Sequence, residues 1–260
     1  MNEKPIGVFD SGVGGLTVLD ELVKTLPSED YIYVGDEANC PYGTKTNEEI
    51  EKCVVNVVTY LIKQDVKAIV IACNTASLFI DKLKTLTTIP IIDVINPTSN
   101  YASMQSKSKR IGVIATNATI KKGTYQKLLE EKNIKVYPVA CSEFVDYIET
   151  KDINSNDAYM LVHQKLSCLQ NTNIDTLIYG CTHFSILEKQ IKEVVGKDVN
   201  YIACGYPTSI ELLSILKANN LLNKSTNKST IHIYTTGDIS KTLKAMSWYN
   251  GPKNIEKIEI

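Results

Sequence analysis

Two cysteines stand where an apolar run stops: Ile69-Val70-Ile71-Ala72-Cys73-Asn74-Thr75 and Leu177-Ile178-Tyr179-Gly180-Cys181-Thr182-His183. A short apolar run reads as a strand buried on both faces of a parallel sheet. Open α/β sheets carry their chemistry just beyond the carboxyl ends of such strands. Cys73 is followed by an amide and a hydroxyl side chain and then by a predicted helix, Leu78–Leu86, and Cys181 by a hydroxyl and an imidazole. A helix N-terminus lowers a thiol's pKa and binds carboxylate. The pattern therefore predicts two activated thiols, one in each half of the chain, acting as matched acid/base groups on one substrate. His183, two residues beyond Cys181, is placed to orient or polarise that thiol.

Two other turns carry polar groups. Phe9-Asp10-Ser11-Gly12-Val13-Gly14-Gly15 offers a carboxylate, a hydroxyl and a glycine-rich backbone at a strand end. Thr17 replaces the last glycine of a dinucleotide fingerprint, and no Gly-Lys-Ser/Thr follows, so neither nucleotide loop is present. An Asp-Ser helix cap is the plainer alternative for this turn. In Asp36–Gly43, Pro41-Tyr42-Gly43 is a turn, and Tyr42 with the Gly43 amide is suited to wall a small pocket.

These residues need strands to position them. Apolar runs recur at Ile6–Phe9, Tyr31–Val34, Ala68–Ala72, Ile91–Ile95, Ile111–Ala115, Lys135–Val139, Thr176–Tyr179 and Val199–Ile202, mostly separated by amphipathic stretches. The clearest helix is Thr46–Gln64: Thr46-Asn47-Glu48-Glu49 is a capping box, and Ile50, Cys53, Val54, Val57, Val58 and Leu61 follow at helical spacing. Such alternation predicts a mainly parallel α/β architecture. Ile6-Gly7-Val8 and Ile111-Gly112-Val113 open the two halves at nearly equal distances from Cys73 and Cys181, the signature of a duplicated lobe. The expected division is a first lobe of residues 1–97 plus 206–260 and a second of 98–205, with the polar link Pro97–Lys109 as crossover. In the tail, Thr208–Ala218 and Ile239–Trp248 are predicted helices, 219–230 a surface loop, and Ile231–Tyr234 and Asn254–Ile260 strands packed on the first lobe.

Composition narrows the function. A net charge of −1 over 260 residues leaves no basic field for nucleic acid. No apolar run approaches the roughly 20 residues of a membrane span, and the N-terminus lacks the apolar segment of a signal peptide. The expectation is a cytosolic protein with no membrane or nucleic-acid partner. The seven cysteines form no C-x-x-C pair, which speaks against a structural zinc or a redox dithiol. They are expected to be free thiols, with Cys53 and Cys168 in the core. No lysine stands at a strand-end motif, so no pyridoxal-type electron sink is expected, and no other cofactor or metal.

The segments Gly7–Val18 (GVFDSGVGGLTV), Pro41–Lys45 (PYGTK), Ala72–Ser77 (ACNTAS), Ile111–Gln126 (IGVIATNATIKKGTYQ) and Gly180–Phe184 (GCTHF) resemble the cofactor-independent glutamate racemases of the aspartate/glutamate racemase superfamily. The resemblance implies two pseudo-symmetric α/β lobes, each a mainly parallel sheet flanked by helices, with the active site in the cleft between them. It makes Cys73 and Cys181 the catalytic acid/bases, the first serving D-glutamate and the second L-glutamate. Asp10 would assist Cys73; Glu149 and His183 would assist Cys181. Asp10, Ser11, Tyr42, Gly43, Asn74, Thr75, Thr116, Thr119, Thr182 and His183 would hold the substrate. The same resemblance implies a homodimer that supplies D-glutamate for peptidoglycan. Aspartate racemase is the nearest rival, then a decarboxylase of the same fold, which needs only one of the cysteines. A two-lobed protein that binds an acidic ligand without turnover is the alternative from another class. The chain departs from the family pattern at Ser185, where proline is usual, at Ser142-Glu143-Phe144, and at Ala203-Cys204-Gly205. Glu143 is thereby a second carboxylate in the region of Glu149.

Overall fold

The computed structural model describes residues 2–225 and 227–260. Packing divides the chain into two units, Met1–Val94 with Gly205–Ile260, and Ile95–Cys204. The strands, in chain order, are β1 (Ile6–Asp10), β2 (Tyr31–Gly35), β3 (Ala68–Ile71), β4 (Ile91–Asp93), β5 (Arg110–Ala115), β6 (Lys135–Ala140), β7 (Thr176–Gly180), β8 (Asn200–Ala203), β9 (Ile231–Thr235) and β10 (Ile255–Lys257). The first unit holds a six-stranded sheet in the order β10-β9-β2-β1-β3-β4, and the second a four-stranded sheet in the order β6-β5-β7-β8. All the ladders are parallel.

The order β2-β1-β3-β4 repeats as β6-β5-β7-β8, so the echo heard in the sequence is an echo of topology. In each sheet the chain moves one way from the opening strand, then returns to its other side. The reversal lies between β1 and β3 in one unit and between β5 and β7 in the other, which is where open α/β sheets bind ligands. Cys73 follows β3, and Cys181 follows β7. The inner strands are buried along their length, as expected of parallel strands covered on both faces, whereas β6 and β8 are partly exposed edges.

The helix Asn47–Lys63 shows how local sequence becomes support for a site. Thr46 Oγ1 accepts the Glu49 amide at 3.3 Å, while Glu49 Oε2 accepts the Thr46 amide at 2.8 Å, closing the capping box. Its buried face (Ile50, Val54, Val57, Val58, Leu61) joins one apolar cluster with Phe9, Tyr42 and Cys73. Each such side chain contributes about 1.5–3 kcal/mol on burial.

Four expectations need correction. The polar link Pro97–Lys109 is largely helix: Ile95–Gln105 is continuous, with Thr98, Ser99 and Ser103 buried. Pro97 is tolerated because it stands in the first turn, where a missing N–H costs no intrahelical bond. The helix expected at Leu78–Leu86 starts earlier and is broken, as Asn74–Ser77 followed by Ile80–Lys84. Cys168 is exposed, because the helix Asn156–Leu166 ends before it and the following tight turn buries Leu169 instead. Cys53 is only partly buried, packed on the rim of its cluster.

Thr46→Ala removes the reciprocal cap and should lower unfolding free energy by about 0.5–2 kcal/mol in denaturant titration. An unchanged midpoint would show that the cap does not hold this helix.

Candidate active site

At the reversal point of the first sheet, Asp10 ends β1 almost fully buried. Its Oδ2 accepts the amides of Gly12 at 3.2 Å and Gly15 at 3.1 Å. The turn is drawn so tightly around the carboxylate that a Cβ on Gly15 would lie 2.4 Å from Asp10 Cβ and 2.9 Å from the Tyr33 hydroxyl. Glycine is therefore required there by close approach. Tyr33 closes the turn from below, donating to the Gly12 carbonyl at 2.6 Å.

Cys73 is itself the N-cap of the helix Asn74–Ser77, its sulfur accepting the Ala76 amide at 3.4 Å. Its thiol also reaches the Ser11 hydroxyl at 3.5 Å. Ser77 donates to the Cys73 carbonyl at 2.8 Å and fixes the backbone beneath. Asn74 and Thr75 are buried beside it, and Tyr42 shares its apolar cluster. Asp10, Ser11, Tyr42, Cys73, Asn74 and Thr75 thus gather at one end of one sheet, with Gly43 following Tyr42 in the turn Tyr42–Thr44. The expected lowering of the thiol pKa does not occur here. Burial, and then the Asp10 carboxylate, push Cys73 up to about 12, and its bonds to Ser11 and Ala76 offset only part of this. A single helical turn supplies too little dipole to outweigh desolvation.

The second sheet has the same layout and different chemistry. Thr116, just past β5, caps the helix Asn117–Lys122 by accepting the Thr119 amide at 3.4 Å, and the two hydroxyls lie 3.1 Å apart. Cys181 follows β7 with Thr182 and His183 buried behind it. A Cβ on Gly180 would lie 2.9 Å from both Ala115 Cβ and the Ile114 carbonyl, so glycine lets β7 deliver Cys181 close against β5. His183 Nδ1 is 3.9 Å from Cys181 Sγ, and His183 Nε2 is 3.0 Å from Glu149 Oε1. Burial alone would lower the imidazole pKa, but bonds to Cys181 and then Glu149 hold it well above its ordinary value. The imidazolium is the favoured form, sitting between a sulfur and a carboxylate.

Two aromatic rings align that relay. Phe144 on the helix Glu143–Thr150 meets Phe184 edge-on, with centroids 5.3 Å apart, so the helix carrying Glu149 packs on the turn that follows His183. The neighbouring carboxylate Glu143 pairs with Lys165 instead. The departures from the family pattern are absorbed locally. Ser185 Oγ donates to the Thr182 carbonyl at 3.3 Å, closing the turn where proline is usual. Cys204 is buried and donates to the Tyr179 carbonyl at 3.2 Å.

Sequence reasoning overlooked Tyr33, Asp36 and Ser77 as builders of the site. Asp36 alone gave a signal, since it stands immediately past the end of β2.

With this geometry in view, a model of the Asp/Glu/Hydantoin racemase family matches residues 6–204. The chain belongs to the Asp/Glu/Hydantoin racemase family. Among relatives of the family, the glutamate racemase of Pediococcus pentosaceus is 40% identical, with the whole of both chains covered. That of Bacillus cereus is 39% identical, covering 98% of this chain and 97% of its own. Among solved structures, a glutamate racemase isoform from Bacillus anthracis aligns with a TM-score of 0.95 at 36% identity, covering 100% of this chain and 99% of the other. The glutamate racemase from Francisella tularensis, solved in complex with D-glutamate, aligns at 0.92 and 36% identity, covering 100% and 98%. An aspartate racemase from Picrophilus torridus aligns at 0.63 with 17% identity, a likeness of fold alone. No helix among the described residues is long and apolar enough to cross a membrane.

With its pKa near 12, Cys73 should react with iodoacetamide at a rate still climbing steeply at about pH 10, as followed by mass spectrometry. A plateau above about pH 8.5, the ordinary thiol value, would contradict the assignment.

Proposed function

We propose that this chain interconverts L- and D-glutamate without a cofactor, using Cys73 and Cys181 as two bases on opposite faces of the α-carbon. The observation that carries this reading is the pair of buried thiols, each at the reversal point of a like-ordered parallel sheet and each backed by its own ionisable side chain. Binding alone needs no thiols, which weighs against a passive acidic-ligand protein. The full-length likeness to glutamate racemases favours glutamate over aspartate.

From L-glutamate, the Cys181 sulfur takes the α-proton as the Cα–H bond breaks and its electron pair passes onto the carboxylate. The Cys73 thiol then gives its proton to the opposite face of Cα, leaving a thiolate there. From D-glutamate the roles reverse. The high pKa of Cys73 suits it to enter as the acid, and the charged His183 suits Cys181 to enter as the base. A positioned acid/base group supplies about 10²–10⁴-fold. The remainder falls to donors around the carboxylates: Ser11, Asn74, Thr75 and Thr182, with the Tyr42–Gly43 turn and Thr116 and Thr119 as further contacts. Asp10 keeps Cys73 protonated, and Glu149 keeps His183 charged. In the cell the product is D-glutamate for peptidoglycan, made in the cytoplasm by a homodimer.

Purified protein in D₂O, given each enantiomer of glutamate and of aspartate with no cofactor, should invert glutamate and exchange its α-hydrogen. Inversion of aspartate alone would transfer the assignment to aspartate, and silence with all four would end the enzymatic reading. Cys73→Ser and Cys181→Ser should each lower glutamate racemisation by about 10²–10⁴-fold; full activity in either would refute the two-base mechanism.

A further inference from the structure

A buried polar cluster apart from the two thiols is centred on Asp36, just past β2. Its side chain is almost entirely buried. Oδ2 accepts the Tyr42 hydroxyl at 2.6 Å; Oδ1 accepts the Thr236 hydroxyl at 2.7 Å; the Asn39 amide donates to both oxygens, at 3.0 and 3.1 Å. The Asp36 amide donates to the Asp10 carbonyl at 3.0 Å. Through its backbone amide and its carboxylate, Asp36 therefore ties together the end of β1, the loop that bears Tyr42 and Gly43, and Thr236 just past the tail strand β9. Thr236 is held in turn, its hydroxyl accepting the Ala38 amide at 3.0 Å and its own amide donating to the Gly35 carbonyl at 3.1 Å.

We propose that Asp36 is the positioning residue of the Tyr42–Gly43 turn: by taking the Tyr42 hydroxyl while Asn39 and Thr236 hold it in place, it fixes that turn beside Cys73 and sets affinity for the amino-acid substrate. The proposal rests on the assignment of Tyr42 and Gly43 to substrate binding. A buried phenol needs a hydrogen-bond partner, and a buried carboxylate needs several donors. Here each meets the other's need, and a bond to an ionised acceptor is among the stronger kinds. Burial and then the Asp36 charge push the Tyr42 phenol far above its ordinary range, so it remains a donor at any working pH. Tyr42 also packs against Phe9 at a ring separation of 6.3 Å and shares a cluster with Cys73. Displacing its hydroxyl end therefore moves the wall beside the thiol without touching the thiol.

The test is the steady-state kinetics of glutamate racemisation in the wild type, Asp36→Asn, Tyr42→Phe and the double variant, with thermal midpoints measured in parallel. Each single change should raise KM about tenfold, the worth of one hydrogen bond to a charged group, with kcat altered less than about threefold. The double variant should have the KM of Asp36→Asn, because the two side chains act through one bond. Unchanged KM in Tyr42→Phe, multiplicative effects in the double variant, or losses confined to kcat would each overturn the proposal. Should Asp36→Asn fail to fold, Tyr42→Phe, which deletes a single hydroxyl, decides alone. A wild type that does not turn over glutamate overturns the functional assignment and this inference with it; an active wild type with unmoved KM values overturns the inference only.

Discussion

Removing a sulfhydryl from water penalises its anion, and both candidate thiols are buried at the ends of parallel strands. The two units meet this constraint in different ways. Around Cys73 the relief comes from the Ser11 hydroxyl and the backbone amides of Ala76 and Ser11, while Asp10 adds a like charge. That sulfur stays protonated, poised to give a proton. Around Cys181 a histidine is interposed, and Glu149 holds the histidine in its charged form. The nearest ionisable neighbour is thus a carboxylate for Cys73 and a cation for Cys181. The units share a topology and differ in the electrostatics around their strand-end thiols.

Most of the surrounding structure serves to hold these few atoms in place. Gly15 and Gly180 permit approaches that a side chain would block, one around Asp10 and one ahead of Cys181. Ser77 fixes the backbone under Cys73, and the Phe144–Phe184 contact aligns Glu149 with His183. In the first unit, Asp36 links the Tyr42–Gly43 turn to the segment just past strand β9, so the tail supports that turn as well as the sheet.

Much of this was legible in the sequence because it depends on short-range patterning. Continuous apolar runs revealed the parallel strands, the Thr46–Glu49 box marked its helix to within a residue, and the repeated Ile-Gly-Val opening exposed the duplication. What was hidden depends on burial or on distant partners. The serine-rich helix Ile95–Gln105 looks like a linker because polar residues in a buried helix carry no amphipathic signal. The rise in the Cys73 pKa could not be foreseen, since a helix start is visible in sequence and desolvation is not. The choice of Glu149 over Glu143 required coordinates: both occupy one helix, and only the fold shows Glu143 paired with Lys165. Asp36 was passed over as a loop residue because Thr236, which helps to hold it, lies at the far end of the chain.

The inequivalence of the two thiols turns on the charge of His183, and that can be read directly. Carbon–proton correlation spectra of the three histidines, recorded across a pH titration and assigned with His163→Gln and His232→Gln variants, report each imidazole separately. The His183 resonance should still carry imidazolium shifts at about pH 8, above the ordinary titration point of about 6.5. A His183 resonance that titrates at or below that ordinary value would show a neutral ring beside Cys181 and would contradict the division of roles between the two thiols.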